Sequence, residues 1–287
     1  MNATLDWWAL LCGVALANVA AWLWTAATVP RAARRPGDSR QLQLLLSAGY
    51  VFGCAYRSLL PVYDIQRLCL VDSWMSSVIV GRSVATIAEL CFVAQWSVLL
   101  RDAARAARNP VALQVSRALL PMIAVAEVCS WHAVLTTANL GHVIEESLWG
   151  TSAALVSACL WALRRTAPQR LRPLMLFFCA AGAVYVAYMF AVDVPMYWAR
   201  WIADEAQGRP YLPLLDGVFD AALRRVVSYR WEDWRTEVVW MSLYFSVAVW
   251  LSMALVHVRM ATPSAAANGN AQRQRRRGLD LLHRERR

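Results

Sequence analysis

Seven apolar runs of about 20 residues, each closed by a polar stretch, constrain this chain more than any motif in it. A helix of ~20 residues rises ~30 Å, the depth of a bilayer's hydrocarbon core. The runs are Trp7 to Val29, Gln41 to Leu60, Trp74 to Leu100, Val111 or Ala118 to Asn139, His142 to Leu163, Leu174 to Tyr197 and Val238 to Val258. Backbone N–H and C=O groups have no partner in lipid, so runs of this kind must close their hydrogen bonds within themselves. The fold class predicted is therefore all-α integral membrane: a bundle of seven transmembrane helices over residues 1–260.

The arginines orient that bundle. All 29 basic residues are arginine. The connections after the first, third and fifth runs hold four, three and four of them, and the C-terminal stretch holds eight. The connections after the second, fourth and sixth hold one, none and six. Arginine bias in short connections marks the cytoplasmic side, which predicts an outside N-terminus and a cytoplasmic C-terminus. The opening MNATLD has no positive charge and RAARR follows the first run, the reverse of a signal peptide, so that run reads as a retained span. Trp7, Trp8, Trp74, Trp198, Trp201, Trp231, Trp234 and Trp240 fall near the outer interface, as an aromatic belt would. A plasma or inner membrane suits this arrangement.

Composition then removes several classes. The chain is 59% hydrophobic and 17% charged, against about 25% charged for a soluble domain. A net charge of +10 does not point to nucleic acid, because the arginines are sorted by membrane side. Residues 261–287 form a basic, disordered tail suited to anionic lipid head groups. With no lysine, neither retinal nor pyridoxal phosphate can be held as a Schiff base. Seven cysteines without a CxxC spacing offer no disulfide framework and no thiolate zinc site. Oligomeric state is not legible.

Between the sixth and seventh runs, Leu215, Val218, Phe219, Ala222, Leu223, Val226 and Val227 recur at helical spacing opposite Asp216, Asp220, Arg224 and Arg225. This predicts an amphipathic outer helix that lies on the membrane face or caps the bundle.

The chemistry-bearing residues sit inside the spans. Arg82, Thr86 and Glu89 fall at i, i+4 and i+7, on one face. Charged groups on an apolar span are costly in lipid, so that face points into protein or a wet cavity. Two turns apart, Arg82 and Glu89 are expected to pair with other helices, Arg82 with Asp193 or Glu145. Glu127 falls at a depth similar to Glu89. His132, Thr136 and Asn139 continue its helix outward. His142, Glu145, Glu146 and Trp149 share a face at i, i+3, i+4 and i+7. Asp193, Tyr197 and Arg57 lie in the same outer half. The inner halves bring almost no polar groups, so any site belongs to the outer side. His132, His142, Glu127, Glu145, Glu146 and Asp193 are the candidate catalytic residues. Arg57, Arg82, Glu89, Asn139, Trp149 and Tyr197 are the candidate substrate-binding residues. A short turn between the fourth and fifth runs makes their helices antiparallel neighbours and predicts a contact from His132 to Glu145 or Glu146.

Histidine nitrogens and carboxylate oxygens are ligands that zinc, iron or manganese accept, but no HExxH occurs and His142-x-x-Glu145 reverses the Glu-x-x-His order of carboxylate di-metal bundles. A metal-free histidine–carboxylate pair for proton transfer serves equally. Seven spans with N outside is similar to rhodopsins and G-protein-coupled receptors in topology alone. The clustered histidines of alkaline-ceramidase-type hydrolases have no counterpart, since His257 stands by itself. These residues favour a membrane enzyme acting on a lipid-like or apolar substrate. A ligand-binding sensor and a proton- or ion-coupled transporter are the rivals. Short inner connections leave a sensor no output module, and apolar inner halves leave a transporter no polar path.

Overall fold

The structure is a computed structural model that describes residues 2–29 and 39–258. The Pro36–Gly37 turn and the basic tail lie outside the described residues. Long helices follow one another along the chain: α1 (Ala3–Thr28), α2 (Arg40–Leu59), α3 (Val78–Ala107), α4 (Pro110–Thr136) and α5 (Leu140–Leu163). Then come α6 (Arg172–Tyr188), a π-helical turn (Met189–Asp193) and α7 (Val194–Ala206) in one continuous rod, followed by α8 (Leu214–Leu223), α9 (Trp231–Trp234), α10 (Val238–Phe245) and α11 (Val247–His257). Five segments are long and apolar enough to cross a membrane: α1, α3, α4, the rod 169–206 and the pair α10–α11. The protein is thus a membrane-embedded helical bundle. α2 and α5, of 20 and 24 residues, pack within it.

Several helix edges differ from those predicted. Trp74 belongs to a short 3-10 turn, and α3 starts only at Val78. It then runs past Leu100 to Ala107, because RDAARAA consists largely of good helix formers. The turn to α4 shrinks to Arg108, which takes the left-handed conformation at φ 52°, and Asn109, whose side chain caps α4 at Ala112. α4 therefore begins at Pro110, the first helical position proline tolerates well. In the rod 169–206, Pro195 offers no N–H to the turn before it, and a π-helical turn at Met189–Asp193 absorbs the mismatch.

The last span breaks at Ser246, which separates α10 from α11. The carbonyl of Phe245 at that break accepts a hydrogen bond at 2.8 Å from the buried Asn18 amide of α1.

One end of the bundle carries a folded cap. β1 (Val62–Tyr63) pairs antiparallel with β2 (Leu68–Cys69), and β2 pairs parallel with β3 (Val226–Val227). The predicted amphipathic helix therefore stops at Leu223. Val226 and Val227 leave it because β2 offers backbone partners, Val226 N–H donating to the Arg67 carbonyl at 2.8 Å, and β-branched residues suit a strand. Gly217 and Ala221 face inward, and Leu214, Leu215, Phe219 and Leu223 face outward. A Cβ at Gly217 would lie 2.0 Å from the Leu135 carbonyl oxygen, so only glycine lets α8 seat on α4 this closely.

Arg67 ties the cap together. It is 1% exposed, donates Nε to Asp220 at 2.7 Å and Nη1 to the Asp64 carbonyl, and donates Nη2 to the Val134 carbonyl at the end of α4. Trp7 and Trp234 are not belt residues. Both are buried, with ring centroids 5.9 Å apart, and their indole N–H groups reach Ser242 and the Ser228 carbonyl. Trp74 and Trp198 are exposed.

Leu99, Leu100, Ala103, Leu119, Leu163 and Leu255 fill the core toward the end away from the cap. A buried polar clamp was not foreseen in that half. Gln43 and Gln95 each donate to the other's backbone carbonyl, and Ser252 donates to Gln95 at 2.5 Å.

A candidate acid–base site around Arg82

α3 begins at Val78, so Arg82 is one turn into the helix and Glu89 roughly 16 Å along it, shallower than a start at Trp74 implies. One terminal nitrogen of Arg82, Nη2, lies 2.8 Å from Glu127 of α4, 2.8 Å from Glu145 of α5 and 3.2 Å from Glu89 of its own helix. Arg82 and Glu89 thus do meet across two turns: both project from one face, and two long side chains together cover the rise. An Arg82–Asp193 pair does not form. A terminal guanidinium nitrogen has two hydrogens. Two of the three contacts can be hydrogen bonds, and the longest, to Glu89, is a charge contact.

The carboxylates have further partners. Glu127 accepts from Thr86 at 2.6 Å, and Thr86 accepts from the Trp131 indole. Glu89 accepts from Tyr244 of α10 at 3.0 Å. Glu145 uses its second oxygen on His142, at 2.7 Å from Nδ1. With both oxygens occupied, Glu145 fixes the ring so that Nδ1 carries the proton toward it, leaving Nε2 for another partner. The His142 ring lies 4.9 Å from that of Tyr197.

Glu89, Glu127 and Glu145 are the one trio of metal-ligating side chains that converges among the described residues, with ligand atoms within 4.8 Å of one another. The Arg82 guanidinium already sits at their centre, where a cation would sit, and no histidine nitrogen joins the trio. That donor set fits a guanidinium better than zinc, iron or manganese.

This cluster forms part of the wall of a cavity of about 590 Å³. Arg57, Arg82, Glu89, His142, Glu145 and Glu146 line it, together with Trp149 and Tyr197. Arg57 reaches the Val62 carbonyl at 3.2 Å and stands 3.8 Å from Asp64. Away from these groups the lining is aromatic and aliphatic, including Phe92, Trp96, Leu119, Val156, Phe178 and Leu251. A smaller chamber of about 220 Å³ holds Asp193 with Glu146, Tyr197 and Glu237.

Two candidates lie elsewhere. His132 is exposed on α4, only its backbone carbonyl is engaged, by Thr136, and the predicted contact with Glu145 or Glu146 is not made. It faces away because Glu127 and Trp131 occupy the inward side of that helix, and Glu145 turns to His142 on its own helix, three residues back. Asn139 is buried but belongs to the cap, donating to Asp204 at 2.8 Å.

The residues the sequence reading omitted come mainly from α10 and the connections: Tyr63, Arg200, Glu237, Trp240 and Tyr244. Glu237, Trp240, Met241 and Tyr244 stand at i, i+3, i+4 and i+7, a stripe that was legible. Burial and the neighbouring Glu237 carboxyl push the Tyr63 phenol up to about 12, so it remains a hydroxyl at neutral pH. Comparison with protein-family models, with curated proteins and with solved structures finds no match to this chain.

Proposed function

We propose that this protein is an integral membrane enzyme of seven spans that performs acid–base chemistry on a lipid-like substrate. The observation that carries the reading is the His142–Glu145 pair, at 2.7 Å, on the wall of a cavity whose remaining lining is largely apolar. Glu145 holds the imidazole and is itself held by Arg82 at 2.8 Å, so Nε2 is the group free to take a proton from water or a substrate hydroxyl and to return it to a leaving group. Tyr197 and Trp149 shape the adjoining wall. Arg57 and Arg200 line the same cavity and supply positive charge at its polar end.

In this reading α2 and α5 are spans as well, their lower hydropathy reflecting the polar faces they turn inward. The cap faces outward and the arginine-rich turns face the cytoplasm, where the basic tail meets anionic lipid. The Gln43–Gln95–Ser252 clamp is buried and none of the three lines the cavity. A closed clamp in the inner half favours an enzyme over a transporter, which needs a continuous polar path.

The test is comparative lipid mass spectrometry of membranes producing the wild type or the His142→Gln variant at equal level. A lipid class depleted only by the wild type, with a matching new product, is the expected result. Identical lipid profiles with folded wild type in the membrane would sink the proposal.

A further inference from the structure

The polar end of the cavity has a charge imbalance that the acid–base pair does not use. Glu146 and Asp193 are 8% and 6% exposed, and neither side chain has a hydrogen-bonded or ion-paired partner among the described residues. Both line the 220 Å³ chamber, as does Glu237. Glu146 also lines the larger cavity, so the two spaces share a wall. The chamber's other walls include Tyr188, Tyr197 and Trp240. Nearby guanidiniums are few: Arg82 is surrounded by its three carboxylates, Arg57 faces Asp64, and Arg200, 5.3 Å from the Tyr197 ring, is left to offset Asp193 and Glu237 together. Buried carboxylates with too few cations are costly, and aromatic faces attract cations, alkylammonium groups among them.

The opposite end of the space fits a chain. α6 packs on α5, and α10–α11 pack on α1, α2 and α3. Between α6 and α10–α11 lies the cavity, walled by Phe178, Ala181 and Val184 on one side and by Leu243, Val247 and Leu251 on the other. From Tyr188 to Phe178 this apolar wall runs ~15 Å along α6.

We propose that the two chambers hold one amphiphile, with its ammonium head among Glu146, Asp193, Glu237 and the aromatic walls and its alkyl chain in the cleft between α6 and α10–α11. This rests on the lipid-like substrate reading above and names its head group. His142 lies one helical turn from Glu146 and lines the same cavity, so the atoms next to the head are those presented to Nε2. The ammonium belongs either to a long-chain amine or to a zwitterionic phospholipid. In the second case Arg200, with the unpartnered buried Nε and Nη1 of Arg57, faces the phosphate.

The experiment is thermal unfolding of the full chain in a non-ionic detergent, with hexadecylamine, hexadecylphosphocholine, hexadecanoic acid or hexadecanol at equal mole fraction. Ligand bound to the folded state raises the midpoint by mass action. The expected result is a rise of several degrees with at least one ammonium probe and a clearly smaller one with the acid and the alcohol. Glu146→Gln and Asp193→Asn should each remove that difference. A larger shift with the amine identifies the simple cation. A larger shift with the phosphocholine, lost in Arg200→Gln, identifies the zwitterion. Equal shifts with all four probes overturn the head-group assignment while leaving an apolar-ligand site in place, and no shift with any probe overturns both. The wild-type ranking of the four probes decides the matter even where a variant fails to fold.

Discussion

Arg82 is the residue on which the interior depends. A lone guanidinium among Glu89, Glu127 and Glu145 neutralises only part of their charge, and its removal strands three buried carboxylates. Loss of one partner from a buried ion pair costs about 3–5 kcal/mol. Arg82→Met is therefore expected to lower the thermal midpoint sharply, and Arg82→Met combined with Glu89→Gln and Glu127→Gln to recover much of it. An Arg82→Met protein as stable as wild type would show that the cluster is solvated rather than buried. Glu237 gives a pH test at the rim. Burial pushes its carboxyl up, with Arg200 opposing. The folded protein then binds that proton more tightly than the unfolded chain, so stability falls as pH rises from the ordinary carboxylate range through the raised folded value. Glu237→Gln removes the loss: its midpoint should exceed wild type at about pH 7.5 and match it at about pH 4. A variant less stable at the higher pH would mean that the carboxylate is favourably paired there. The sequence made Arg82, Glu89, Glu127 and the His142 face legible because charge on an apolar helix has few places to point. It misled at His132, since a histidine on a span reads the same whether it faces lipid or protein until its neighbours, Glu127 and Trp131, are seen to take the inward side.

At the level of elements, apolar periodicity located the helices and failed at their ends, where single residues decide. The start of α3 is set by the Ser73–Ser77 turn and the start of α4 by the Asn109 cap, and neither alters the hydropathy of the run. The cap was legible only as an amphipathic helix, because its three strands are two residues each and β3 joins β2 across more than 150 residues of chain. What fixes it is Arg67 together with the close seat of α8. Gly217→Ala would drive a Cβ into the Leu135 carbonyl and should unseat α8, seen as faster hydrogen exchange at 212–228 with protection of the helical core retained. Unchanged exchange would show that α8 can shift outward without loss. The break at Ser246 gives a second test. Asn18→Ala leaves the Phe245 carbonyl without its donor, and an unsatisfied buried polar group costs about 1–3 kcal/mol. Asn18→Asp would be worse, since a carboxylate cannot donate to a carbonyl. A midpoint unmoved by Asn18→Ala would mean that water reaches the break.

Across the whole molecule, polarity is distributed by end. Helix ends and turns at one end carry Arg101, Arg105 and Arg108 where α3 gives way to α4 and Arg164, Arg165, Arg170 and Arg172 between α5 and α6, with no acid but Asp102. The other end carries the cap, where arginines are matched by carboxylates: Arg67 with Asp220, Arg209 with Asp204, Arg225 with Asp72. Such pairing offsets half of the six arginines in the segment before the last span, so they weigh little against the proposed orientation. Arg209, Arg224 and Arg225 are ion-paired within the cap, whereas the arginines of the short turns stand nearly alone, and short connections dominate insertion. The site follows the same division, since Arg82, His142 and the chamber of Asp193 all lie in the cap half, and the far half buries a mainly apolar core together with Arg40, Ser116 and the Gln43–Gln95–Ser252 clamp. Orientation therefore decides which compartment the site serves. A reporter active only in the cytoplasm should be active when fused after Arg287 and silent when fused ahead of Met1, and cysteine labelling from outside should reach an Asp216→Cys variant on exposed α8 but not an Arg165→Cys variant in the turn before α6. Labelling of Arg165→Cys from outside in intact cells, with Asp216→Cys protected, would invert the bundle and assign the cavity to the cytoplasmic side.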